Sequence, residues 1–68
     1  MTIQNFNKTE IVTKRVEYRF TVNGVDYVYT EHEDERGKVI DTELFTSTGQ
    51  WVEDEEIEIA IQEFIDQL

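Results

Sequence analysis

The stretch Val16–Tyr29 constrains this chain more than any other, because its pattern is that of a β-hairpin. Apolar residues alternate on both sides of Asn23-Gly24, and both of those residues tolerate the positive φ that a type I′ turn needs at its centre. A two-residue turn sets the pairing. Val22 faces Val25, Phe20 faces Tyr27 and Tyr18 faces Tyr29, so these side chains share one face, continued by Val16. The other face pairs Thr21 with Asp26, Arg19 with Val28, Glu17 with Thr30 and Arg15 with His32. A slip of one residue would turn the aromatic set to solvent, which fixes the register.

The flanking segments extend this hairpin. Residues 11–22 read as one strand, with Val12, Val16, Tyr18, Phe20 and Val22 on a common parity. The next strand runs from Val25 to about Glu33, and Asp34-Glu35-Arg36-Gly37 is a turn with Gly37 at positive φ. A further strand covers Lys38 to Phe45, with Ile40, Thr42 and Leu44 on one face and Asp41 and Glu43 on the other. Ser47-Thr48-Gly49-Gln50 turns the chain again, after which Trp51-Val52 either returns as a short strand or leads into a helix. Residues 1–10 hold Ile3 and Phe6 among polar neighbours and read as either a flexible arm or an edge strand.

The last segment, 53–68, is helical by its period. Ile57, Ala60, Ile61, Phe64, Ile65 and Leu68 form one apolar stripe, and Asp54, with Glu53 or the region of Thr48 as alternatives, is placed to cap its start. Glu55 and Glu56 lie at the positive end of the helix dipole. The stripe needs a surface, and the aromatic face of the hairpin offers one. The expected fold is therefore α+β: an antiparallel three- to four-stranded β-meander over residues 11–46 with one C-terminal amphipathic helix packed on one face, in a single domain spanning 1–68.

At 68 residues the chain can bury only a small core, and without cysteine neither a disulfide nor a cysteine-ligated zinc can reinforce it. The lack of cysteine suits a reducing cytoplasm; no signal-peptide pattern opens the chain and no run is long enough to span a bilayer. Charge is unevenly spread. The formal net charge is −10; residues 1–38 hold all six Lys/Arg and seven acids, whereas residues 39–68 hold nine acids and no Lys/Arg. Such a half repels phosphates and anionic lipid, which disfavours direct nucleic-acid or membrane binding and suits a basic protein partner.

Enzyme chemistry finds little to work with. Glu31-His32-Glu33-Asp34-Glu35 is the one stretch rich in metal-ligand types, but alternation sends Glu31 and Glu33 to one face and His32 to the other, and the spacing is not that of a calcium loop. A solvated strand end with cross-strand charge pairs, Lys14 with Glu33 for instance, accounts for it. His32 is the sole histidine and Ser47 the sole serine, and neither has a partner placed by sequence. No catalytic residue, metal or cofactor is expected.

Two surfaces remain as candidates. The acids Glu55, Glu56, Glu58, Glu63 and Asp66, with Asp41 and Glu43 to extend the field, recur at spacings of about 5–6 Å on a helix, close to that of nucleic-acid phosphates. Solubility and helix capping explain the same acids equally well. The second candidate is apolar: Val28 and Phe45 fall on the sheet face away from the helix, and Ile59 falls off the helix stripe. Ile3 and Phe6 either fold back over that far face or leave it to a second subunit or a partner. Trp51 is expected as a core plug rather than an exposed anchor.

The first functional expectation is a small acidic non-enzymatic binding protein that occupies the basic, nucleic-acid-binding surface of a partner. In composition it resembles the inhibitors that phages and mobile elements encode against host nucleic-acid machinery. The alternative is a structural or adaptor protein that dimerises or binds a partner through the far sheet face.

Overall fold

Asn23 and Gly24 both take positive φ, 51° and 79°, and from that turn the sheet grows outward. The computed structural model describes residues 2–11 and 14–68. Its elements are β1 (Gln4–Ile11), β2 (Arg15–Val22), β3 (Val25–Glu33), β4 (Val39–Thr46) and α1 (Glu55–Asp66), and the strands form one antiparallel sheet in the order β1-β2-β3-β4. The β2–β3 register runs from Val22 opposite Val25 through Tyr18 opposite Tyr29 to Arg15 opposite His32, as the turn chemistry requires. The structure is thus the α+β meander with a single C-terminal helix that the sequence pattern implies.

Two boundaries differ from expectation, and at the N-terminus one of the two open alternatives is the one seen. The strand read over 11–22 is two strands: Ile11 ends β1, Lys14 has φ 59°, and β2 starts at Arg15. Ile11 pairs with Arg15, so the chain reverses between them, with Lys14 in the left-handed conformation of a turn; Val12 lies outside the described residues. Residues 4–11 are an edge strand rather than an arm, interrupted by a bulge between Gln4 and Asn7 where Asn5 has φ 53°. The helix occupies 55–66 rather than 53–68. Asp54 is the N-cap, its carboxylate accepting from the Glu56 and Ile57 amides at 3.0 and 3.4 Å, and the chain leaves the helix at Gln67.

Parity predicts the core where the strands are regular. Val16, Tyr18, Phe20, Val22, Tyr29 and Leu44 are buried beneath Ile57 and Ile61 of α1, with Tyr29 and Ile61 almost wholly enclosed. Gln62 Nε2 donates to the Tyr29 hydroxyl at 3.2 Å, which satisfies the polar tip of the enclosed ring. Ile65 packs at the margin, and Leu68, past the last turn, is 73 % exposed and does not join the stripe. Ile40 departs from its expected face because of a second bulge: His32 pairs with Asp41 but Glu33 pairs with Val39, so Ile40 is the extra residue and is 65 % exposed.

The N-terminal apolar residues go to the helix side. Phe6 has the parity of Lys8, which pairs with Tyr18, and its ring lies 5.8 Å from Tyr18 and 4.8 Å from Phe64. Ile3 packs against the same core. Of the two alternatives for Ile3 and Phe6, folding back over the far sheet face is therefore not the one seen. Trp51 is likewise not a core plug. It forms an isolated antiparallel bridge with Phe45, which places it over the far face, and it is 58 % exposed.

Candidate functional site

The sheet separates the candidate residues into two surfaces. On the helix side, Glu55, Glu56, Glu63 and Asp66 are exposed and Glu58 is half-buried. Ile59 follows Glu56 by three residues and precedes Glu63 by four, so the acids flank it on the outward side of α1, where it is 51 % exposed. An open depression of about 580 Å³ runs beside it, lined by Ile3, Ile59, Ala60 and Phe64 together with Glu56 and Glu63. The depression is open and edged by carboxylates, unlike the enclosed and mostly apolar cavities that hold small molecules.

Among the described residues, the ion pairs are Lys8–Glu10, Arg15–Glu17 and Arg19–Glu17, and neither these nor the His32–Glu43 contact involves an acid of α1. Glu55, Glu56 and Glu58 occupy the first turn, where the helix dipole favours anions. Glu63 and Asp66 lie toward the opposite end, where it disfavours them, and the last turn holds no basic residue. Helix stability accounts for the first group of acids and not for the second.

Asp41 and Glu43 do not extend this field. They project from the far sheet face, because His32 pairs with Asp41 and Thr30 with Glu43. Glu43 is moreover engaged: its Oε1 lies 2.6 Å from Nε2 of His32, with a third of each side chain exposed. The sequence concealed this contact because it depends on the β3–β4 register, which the Asp34–Gly37 turn sets. There the Asp34 carboxylate accepts from the Arg36 and Lys38 amides at 2.8 and 3.0 Å, with Gly37 at φ 81°.

The far face is the second surface. Val28 and Phe45 are directly paired and half-buried, and Trp51 meets Phe45 edge-on at 5.3 Å. Beside them lie Arg15 and Arg19, both within 4 Å of Glu17, and a polar chain in which Asn5 Nδ2 donates to Thr21 Oγ1 and Thr21 donates to Asp26. Val28 and Phe45 thus form a patch with Trp51, while Ile59 belongs to the acidic helix on the other layer.

Neither surface concentrates reactive groups. Among the described residues, no three or more His, Asp or Glu side chains converge as a metal site would require. Lys14 and Glu33 are joined by a main-chain bond, Glu33 N–H to Lys14 C=O at 2.8 Å, and not by their charges. The groups moved furthest from their ordinary ionisation are the core tyrosines. Burial pushes the Tyr18 hydroxyl up strongly, with Glu31 beside it adding to the effect, and burial also raises Tyr29, against hydrogen bonds from Gln62 and Thr42. Both serve the core rather than a site.

No helix among the described residues is long and apolar enough to cross a membrane. Comparison of the chain with models of protein families, with curated proteins and with solved structures gave no match.

Proposed function

We propose that this chain is a small acidic, non-enzymatic binding protein that occupies a basic surface of a protein partner through the outward face of α1. The observation that carries this function is the placement of Glu63 and Asp66: they oppose the helix dipole, lack an ion-pair partner among the described residues, and continue the acidic face begun by Glu55 and Glu56. The helix of 12 residues presents these charges over a length of about 18 Å, comparable to a few nucleotides of a strand. A basic groove that takes nucleic acid would accept such a face, as in the inhibitors of phages and mobile elements. Ile59 at the centre adds an apolar contact to an otherwise electrostatic interface. The cysteine-free composition suits action in the cytoplasm.

The test compares the wild-type chain with a variant carrying Glu55→Gln, Glu56→Gln, Glu58→Gln and Glu63→Gln, both immobilised and exposed to host extract across a salt series. A partner held by the wild type should leave at moderate salt, be displaced by a nucleic-acid oligomer, and bind the variant at least tenfold more weakly. Equal retention by both proteins rejects the proposal.

A second function, adaptor or self-associating protein, is favoured by Trp51 standing exposed over Phe45 on the far face. Under it, Trp51→Ala removes binding while the α1 variant binds normally.

A further inference from the structure

We propose that the outer edge of β1 joins two copies of this chain in an antiparallel pairing centred on Thr9, so that Lys8 of each copy faces Glu10 of the other. The sheet has two edges, and they are not equivalent. The outer edge of β4 is partly occupied by its own chain: Val52 N–H bonds Leu44 C=O at 3.0 Å and Thr46 N–H bonds Gln50 C=O at 2.9 Å. Among the described residues, no element pairs with the outer edge of β1.

Hydrogen-bond direction along β1 follows from the hairpin. The two-residue turn makes Val22 and Val25 a hydrogen-bonded pair, so the even-numbered residues of β2 bond to β3 and the odd-numbered ones bond to β1. The β1 partners of those odd residues are Asn7, Thr9 and Ile11, opposite Arg19, Glu17 and Arg15. Lys8 and Glu10 consequently point their N–H and C=O groups away from the sheet. Such groups are a template for another strand.

Charge selects the register. Centring the pair on Lys8 or on Glu10 sets like charges face to face, which is unfavourable. Centring it on Asn7 sets Lys8 against Phe6 and brings the Asn5 bulge into the ladder. Centring it on Thr9 sets Lys8 against Glu10 on both sides of the axis, and it is also the register in which the outward N–H and C=O groups of Lys8 and Glu10 meet as hydrogen-bonded pairs. Within one chain Lys8 Nζ lies 3.4 Å from Glu10 Oε1, and their side chains are 46 % and 75 % exposed, so both charges are available to a neighbour. Paired residues share a face, so both helices lie on one side and the two four-stranded sheets become continuous.

Sedimentation tests the pairing, with circular dichroism to verify the fold of each variant. The wild type should move from the 8.1 kDa of the monomer toward twice that mass as its concentration rises to about 1 mM. Lys8→Glu and Glu10→Lys should each remain monomeric, because each sets like charges across the axis. Mixing the two should restore the dimer, since every cross-pair is then opposite in charge, and the double swap in one chain should restore it as well. In the wild type, the Lys8 and Glu10 amides should gain protection from hydrogen exchange as concentration rises. A wild type that stays monomeric, single variants that still dimerise, or a mixture that fails to associate each overturns the proposal.

Discussion

Phe6 of β1 and Phe64 of α1 meet with ring centroids 4.8 Å apart and planes inclined at 52°, and this contact ties the first strand to the last helix. The pair closes the chain, adding a contact with α1 to the ladder and side-chain contacts that join β1 to β2. Phe6→Ala should lower unfolding free energy by about 2 kcal/mol, less than for a fully buried ring because Phe6 is only partly enclosed. A double-mutant cycle with Phe64→Ala, read by urea denaturation, should give a coupling of about 0.5–1.5 kcal/mol. Additive losses would show that the rings contribute independently.

Backbone conformation makes a prediction of opposite sign at two positions. A Cβ at Gly24 would meet nothing within 4 Å, so Gly24→Ala costs only the strain of φ 79°, about 1–2 kcal/mol. Lys14 already holds that strain, at φ 59°, with its side chain exposed. Lys14→Gly should therefore stabilise the fold by up to about 1 kcal/mol, and thermal unfolding of both variants reads the two signs together.

Where a turn announced itself chemically, the sequence was legible to the residue. Asn23-Gly24 yielded the β2–β3 pairing, and Gly37 with Asp34 marked the next turn. Legibility failed at Lys14, because a lysine in the left-handed region carries no signal of it, and the strand read over 11–22 ran past the break. It failed at Ile40, because counting by twos cannot survive a bulge. It failed at Trp51, because size suggests burial while its bridge to Phe45 sends it to the uncovered face. The acids of the candidate site were all visible in the sequence. That Asp41 and Glu43 stand on the other side of the sheet from Glu63 was legible as well, because they share the parity of Phe45 on the face away from the helix; counting them with the helix acids ran against that parity.

Tyr18 and Tyr29 make the fold sensitive to alkali. Both hydroxyls are raised above their ordinary value of 10.0, mainly by burial. In the unfolded chain they lose protons near pH 10 while the native protein retains them, so the unfolded state binds fewer protons and stability falls as pH rises. The contribution is complete below about pH 10 and is lost above it, by up to about 1.4 kcal/mol per pH unit for each tyrosine. Urea denaturation between pH 8 and 11, followed alongside tyrosinate absorbance, should show a flat region and then a decline. Removing the Gln62 hydrogen bond with Gln62→Leu should raise the Tyr29 hydroxyl further, since that bond opposes the effect of burial.

The last turn of α1 sets stability against the proposed function. Glu63 and Asp66 sit toward the negative end of the dipole with no base among them, so lysine at either site should stabilise the helix by about 0.3–1 kcal/mol at low salt. The gain should shrink in salt, because the effect is screened over about 8 Å at physiological ionic strength. If these acids serve only solubility, the double variant Glu63→Lys/Asp66→Lys should be more stable and otherwise unaltered. If they face a basic partner, the same variant should be more stable yet bind at least tenfold more weakly, because each substitution both removes an attraction and adds a repulsion. Thermal melts and a binding titration on one preparation separate the two outcomes: a higher melting temperature with unchanged affinity would assign the acidic face to solubility alone.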